Sequence, residues 1–201
     1  MKKKLLSIIL AAIFIISLVG CSSPKPEDVV DTFLKSTQAL DIEKMAECME
    51  SDIQGDLKDI TLEDSDESLK DFMDYFRKNA SKMTYEIKDT KVDGDSAVVT
   101  VDCKYIDGSE ALENAFTAVF DEALEKAFAG SEMSEEEIEN KLVEYLNNYE
   151  AKEDKFATST VKIDCVKKDN KWYVSDFGED FFDVMFSNYL SIMEDMDDQL
   201  E

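Results

Sequence analysis

The sequence predicts an α+β domain in which helices pack on one face of a curved antiparallel sheet, with an inserted helical hairpin and a C-terminal helix. Three observations carry that expectation. Apolar residues recur at helical spacing near the start and at the end of the chain. Two later stretches alternate apolar and polar residues around Asp93-Gly94 and Asp169-Asn170, the signature of hairpins. Between those hairpins, residues 110–151 return to helical spacing. Helices followed by strand pairs, without a regular βαβ alternation, point to α+β.

Taken in order, Pro26 suits the first position of a helix, and Glu27 and Asp28 favour its positive end. Val30, Phe33, Leu34, Thr37 and Leu40 form its buried stripe. Asp41 is placed to cap a short helix whose apolar side is Ile42, Met45, Cys48 and Met49. A turn is expected at Gly55, then a third helix from about Ser65 to Asn79 with Leu69, Phe72, Met73 and Phe76 on one face. Met83, Tyr85 and Ile87 alternate before the Asp93-Gly94 turn, and Val99, Val101, Cys103 and Tyr105 alternate after it.

The insertion opens with a stripe of Leu112, Ala115, Phe116, Val119, Ala123 and Ala127, and Gly130 is placed to end that helix. Ser134-Glu135-Glu136-Glu137 has the form of a capping box, which starts a second helix with Ile138, Leu142, Tyr145, Leu146 and Tyr149 on one side. Ser159, Val161, Ile163 and Cys165 share a strand face, Asp169-Asn170 turns the chain, and Trp172-Tyr173-Val174 returns until Gly178. One long acidic helix is expected to follow, with Phe182, Met185, Phe186, Tyr189, Met193 and Met196 inward.

Residues 1–20 are of another kind. Three lysines precede an apolar run from Leu5 to Val19, which has the form of a secretory leader and is short for a membrane span of about 20 residues. The ending Leu18-Val19-Gly20-Cys21 resembles the lipobox of bacterial lipoproteins. That resemblance implies a diacylglycerol on the Cys21 thiol, cleavage just before Cys21, and a chain held on the outer, extracytoplasmic face of a cell membrane. Residues 21–25 then serve as lipidated cysteine and short linker, and residues 26–201 as one domain with its insertion at about 110–151. Two acyl chains hold where one would hold only marginally.

Charge limits the partners. The chain of 201 residues carries −25, and loss of the leader's three lysines takes it to −28. Such a chain is repelled by nucleic acid and by anionic lipid, so the expected partners are the membrane through Cys21 and an unknown protein or small apolar ligand. There is no histidine, which removes Ser-His and Cys-His nucleophiles and the common zinc sites. Cys48, Cys103 and Cys165 fit no metal-binding spacing, and no cofactor motif is present. Cys103 and Cys165 take matching positions in similar strands; buried thiols are expected, with a disulfide between them or a reactive thiol as further readings. The clusters Asp64-Asp66-Glu67, Glu135-Glu136-Glu137 and Asp195-Asp197-Asp198 lack calcium-loop spacing and read as solvated helix faces.

Two stretches, Pro26 to Leu34 followed by Leu40 to Met45, and a third, Lys168 to Val174, resemble the first helices and last hairpin of the cone fold shared by nuclear transport factor two, scytalone dehydratase and ketosteroid isomerase. The fold also occurs in Gram-positive lipoproteins of unknown function. The resemblance implies a cavity inside the cone, for which Tyr85, Tyr105 and Trp172 are the candidate ligand-binding residues. Enzymes of that fold use a His–Asp or Asp–Tyr pair, and only the second is open to this chain. The sequence therefore favours a lipid-anchored, non-catalytic binding or interaction module. A cavity enzyme of isomerase or dehydratase type, or an acidic structural protein of the envelope, are the alternatives.

Overall fold

A computed structural model describes residues 24–51, 67–149 and 153–200. The leader, Cys21 and the turn expected at Gly55 lie outside the described residues, as do Asp64, Asp66 and the side chains of Glu67, Leu69, Asp197 and Asp198.

The fold is α+β. Helix α1 (Pro26–Ala39) starts where expected, with the Lys25 backbone N–H donating to Asp28 Oδ2 at 3.2 Å. It ends because Leu40 adopts φ 47°, a left-handed cap that turns the chain into α2 (Ile42–Cys48). Asp41 caps α2 by accepting from the Lys44 backbone N–H at 3.1 Å. Helix α3 (Glu67–Ala80) follows, then the strands β1 (Thr84–Asp93) and β2 (Ser96–Ile106). The insertion is α4 (Ser109–Phe128) and α5 (Glu135–Asn148), with the Ser134–Glu137 capping box closed in both directions. Strands β3 (Phe156–Lys168) and β4 (Lys171–Asp176) complete one four-stranded antiparallel sheet in the order β1-β2-β3-β4.

Turn chemistry sets the two hairpins. Gly94 sits at φ 61°, and Asp169 and Asn170 at φ 50° and 65°, so both turns use residues that tolerate the left-handed region. β2 and β3 pair from Ser96–Val166 to Ile106–Phe156 although the whole helical hairpin separates them in sequence. Bulges at Ile87/Asp89 and Asp164/Cys165 bend the outer strands. Met49 bridges to Val174 beside β4, where the Glu50 N–H donates to the Val174 carbonyl at 2.9 Å.

One face of the sheet is core: Val99, Val101, Cys103, Val161, Ile163, Cys165 and Val174 are buried, while Lys104, Thr160 and Lys162 on the other face are exposed. Against the core face lies an aromatic layer. The Phe33 ring is 5.5 Å from Phe177 and 5.4 Å from Phe181, and Phe76 packs edge-on to Phe72, Phe186 and Tyr189. Phe33, Phe76 and Phe181 in that layer are fully buried.

Two expectations need correction. The long C-terminal helix is two helices, α6 (Glu179–Met185) and α7 (Tyr189–Leu200), because Ser187 and Asn188 take φ 56° and 68°. The apolar pattern is continuous across the break. What interrupts it is tertiary: Ser187 is buried, and its carbonyl accepts the Gly108 N–H at 3.1 Å. In the insertion, Ala111, Leu112, Ala115 and Val119 are buried but Ala127 is exposed, so α4 leaves the body after its middle turns. α5 buries Val143 and Leu146 and leaves Ile138 exposed, since its contacts are with α3 and α4.

Candidate functional site

Asp71, Tyr75, Lys78, Asn79 and Lys82 recur at three- and four-residue steps, so they form the polar stripe of α3 and its continuation, opposite the stripe that carries Met73 and Phe76. This stripe walls a hollow of about 1070 Å³. The end of β2, the first turn of α4, the last turn of α5 and residues 153–155 supply the other walls. Ile106, Ala111 and Leu146 give it an apolar floor, and Tyr75 and Tyr149 add two ring faces. Six carboxylates and three lysines surround it. Two of the lysines are engaged: Lys82 Nζ reaches both oxygens of Asp154 at 2.7 Å, and Lys155 pairs with Glu110.

One group in this wall is out of balance. Asn79 is 8% exposed, and its Nδ2 is closed to water and has no hydrogen-bond acceptor. It lies beside the Tyr75 hydroxyl without forming a hydrogen bond of ordinary geometry. Burial raises the Tyr75 phenol pKa, and the Asn79 amide offsets part of that rise. An unpaired buried donor costs about 1–3 kcal/mol.

Next to the hollow, at the junction of β2, α4 and α7, lies a polar hub that is fully paired. The Tyr105 hydroxyl donates to Asn188 Oδ1 at 2.7 Å, and Asn188 Nδ2 donates to Asp107 Oδ1 at 2.8 Å and Ser109 Oγ at 3.2 Å. The Ser109 N–H also donates to Asp107 Oδ1 at 3.1 Å. Burial works against the Asp107 carboxylate, but the bonds from Ser109 and Asn188 and the nearby Lys155 outweigh it and hold its pKa below the ordinary range. Burial, with Asp183 and Asp107 nearby, pushes the Tyr105 phenol up to about 12. Gly108 is required here, because a Cβ would lie 2.8 Å from the Ser187 carbonyl oxygen. The left-handed Asn188 is therefore a structural pin that holds the α6–α7 break against the start of α4.

The three residues that the cone resemblance grouped are in three places. Tyr105 belongs to the hub. Trp172 is buried at the β4 edge, where Nε1 donates to the Pro24 carbonyl at 3.0 Å and ties the start of the domain to the sheet. Tyr85, on β1, donates to Asp31 Oδ1 at 2.8 Å and forms an Asp–Tyr pair. Its electrostatics are those of a resting hydrogen bond: Lys35, then Tyr85, lower the Asp31 pKa, while burial and Asp31 raise that of Tyr85. Both shifts move away from the neutral range in which a general base or acid works best.

Cys48, Cys103 and Cys165 are free, buried thiols. Burial pushes Cys103 and Cys165 up to about 12, which disfavours the reactive thiolate. Their matching strand positions mislead. Cys103 pairs with Ser159 and Cys165 with Ala97, six positions further along β3, which is about 20 Å at the rise of a strand and far beyond disulfide reach. Among the described residues, no group of three His, Cys, Asp or Glu side chains could hold a metal ion, and no helix is long and apolar enough to cross a membrane. Of the acidic runs, Glu137 is bound to Ser134 and Lys126.

The helical hairpin carries a second surface feature. Phe120, Leu124 and Phe128 recur every four residues on α4 and are 53%, 40% and 89% exposed.

No protein-family model matches the chain, and no curated protein matches it. A Bacillus subtilis protein assigned only provisionally as a lipoprotein, known from its crystal structure, is similar at 20% identity and a TM-score of 0.36. The match covers 74% of this chain and 42% of that one, so the chain spans less than half of that protein's length. A likeness at this level decides neither fold nor role.

Proposed function

We propose that this chain is a lipid-anchored, extracytoplasmic binding module that holds a ligand in the hollow beside α3 and performs no chemistry on it. The observation that carries the binding half is the hollow itself: about 1070 Å³ beside α3, with Ile106, Ala111 and Leu146 as an apolar floor and polar side chains around it. The buried aromatic layer on the core face of the sheet supports placing the ligand at the side of the fold, and the shifts of the Asp31–Tyr85 pair do not favour proton transfer there. The lipobox-like Leu18-Val19-Gly20-Cys21 supports the anchor. Because Trp172 ties down Pro24, only Ser22 and Ser23 separate Cys21 from the folded body, a reach of about 10 Å.

Native mass spectrometry of the mature chain extracted from cell envelopes tests the binding half. Wild type is expected to retain a small-molecule adduct that Asn147→Trp, a bulky change at an exposed wall position, loses, and identical spectra would remove the hollow from the argument. Cys21→Ala tests the anchor, since the chain should leave the membrane fraction or accumulate uncut. A mutant that matures and fractionates like wild type refutes lipidation.

A second reading has its own observation. The Phe120-Leu124-Phe128 stripe favours a module that docks a protein through the helical hairpin, and Phe128→Ser would then abolish cross-linking to that partner while leaving the hollow unaffected.

A further inference from the structure

Building on the lipid anchor at Cys21, we infer that the domain stands upright on anionic phospholipid headgroups, on the turn end of its sheet, and holds the hollow away from the membrane. Topology sets up this arrangement. Trp172 pairs with Lys167 beside the β3–β4 turn and donates to the Pro24 carbonyl, so the tether meets the body at that turn. The Lys167 N–H donates to the Asp95 carbonyl at 2.7 Å, which joins the β1–β2 turn to the same end. The hollow belongs to the opposite end of these strands. There Ile106 pairs with Phe156, the Asp107 N–H donates to the Lys155 carbonyl at 3.0 Å, and Ile106, Asp107 and Lys155 all line the hollow. Between the two ends β2 (Ser96–Ile106) rises about 30 Å. Ser22 and Ser23 reach only about 10 Å, so the turn end stays at the lipid surface.

Charge decides how the body above that end leans. The chain carries −25, yet the turn end gathers Lys25, Lys91, Lys167, Lys168 and Lys171 against Asp93, Asp95, Asp169 and the Glu50 that pairs with Lys168. Lys167 and Lys171 lie over the Trp172 and Tyr173 rings, and among the described residues neither they nor Lys25 is ion-paired. Lys82 and Lys155 at the hollow and Lys88 on β1 each meet carboxylates instead. Lys168 and Lys171 also stand directly opposite each other in the β3–β4 register, a like-charge placement that an anionic surface relieves. Screening confines these forces to about 10 Å at ordinary ionic strength. An upright domain keeps only its turn end within that layer, whereas leaning onto its helices would bring the exposed Glu113, Asp121 and Glu125 of α4 into it.

The test is fluorescence quenching of the lipidated chain in vesicles of phosphatidylcholine and phosphatidylglycerol that carry a nitroxide-headgroup lipid. One labelling site is added at a time, by Ser96→Cys at the turn end or Asn147→Cys at the hollow, both exposed positions. Cys48, Cys103 and Cys165 are buried and stay unlabelled. Because the length of the sheet separates the two sites, the label at position 96 is expected to be quenched at least about threefold more than the label at position 147. Lys25→Glu combined with Lys171→Glu should remove most of that contrast. Equal quenching at the two sites, or stronger quenching at position 147, in a chain that floats with the vesicles overturns the upright orientation and leaves the anchor standing. A full contrast after the charge reversal overturns the part assigned to the lysines. A chain that does not float with the vesicles overturns the anchor, and the orientation with it.

Discussion

Replacing Asn79 by leucine should stabilise the unliganded protein, the opposite of what a buried side-chain exchange ordinarily does. Asn79 is 8% exposed, and its amide N–H group is without an acceptor. Such a group carries a desolvation cost of about 1–3 kcal/mol that the folded state does not recover. Leucine removes that cost, keeps the branching of the side chain, and has the better helical propensity, by a few tenths of a kcal/mol. Its additional volume can extend into the hollow, so overpacking is limited. The expected gain is about 1 kcal/mol, or about 2–4 °C in Tm for a domain of this size. Urea unfolding followed by Trp172 fluorescence measures it. A loss of 1 kcal/mol or more would refute the reasoning, because it would mean that the amide is satisfied in the folded protein. Tyr75→Phe sharpens the test. Since the Tyr75 hydroxyl lies against the Asn79 amide, the double mutant should depart from additivity by about 0.5 kcal/mol or more.

Other expectations concern the parts that hold the hollow in place. Asn188→Gly keeps the left-handed backbone but removes the bonds to Tyr105, Asp107 and Ser109, and should cost about 1–3 kcal/mol by chemical denaturation; Asn188→Ala should cost about 1–2 kcal/mol more, from the φ of 68°. Equal costs for the two would show that φ is not held there. The hub also sets an acid limit. The folded Asp107 pKa lies below its ordinary value of 3.8, so its contribution is present above about pH 4 and is lost as pH falls through the folded pKa. Asp107→Asn should therefore flatten the fall in stability below pH 4, and an unchanged acid profile would remove Asp107 from that role. Cys103 and Cys165 should stay unmodified by a thiol reagent at pH 8 in the native chain and react only on unfolding, which mass spectrometry of labelled peptides follows.

Much of this architecture is written locally. Pro26 and Asp41 start helices, Ser134 with Glu137 closes a capping box, and Asp93-Gly94 and Asp169-Asn170 turn two hairpins, because each feature depends on residues within a few positions of one another. Alternation along β2 and β3 chose the buried face for the same reason. The Cys21 motif is likewise local, and its chemistry is independent of the fold around it.

The candidate site was not legible in this way. The stripe Asp71, Tyr75, Lys78, Asn79 is visible as a helical repeat, but a polar helix face ordinarily meets water. Only the packing of α5 against α3 and of the α4 start beside it turns that face into a wall and leaves Asn79 without a partner. Tyr85, Tyr105 and Trp172 share a strand-face pattern, yet their polar atoms are claimed by Asp31 on α1, by Asn188 in the α6–α7 break and by Pro24 ahead of α1, and strand periodicity carries no information about those partners. The C-terminal break has the same origin: a continuous apolar stripe predicts one helix, and the buried Ser187, the close approach of Gly108 and the hydrogen bonds of Asn188 divide it. Periodicity fixes which face of an element turns inward. Which distant polar groups meet there depends on how the elements dock, and that was decided by the tertiary structure alone.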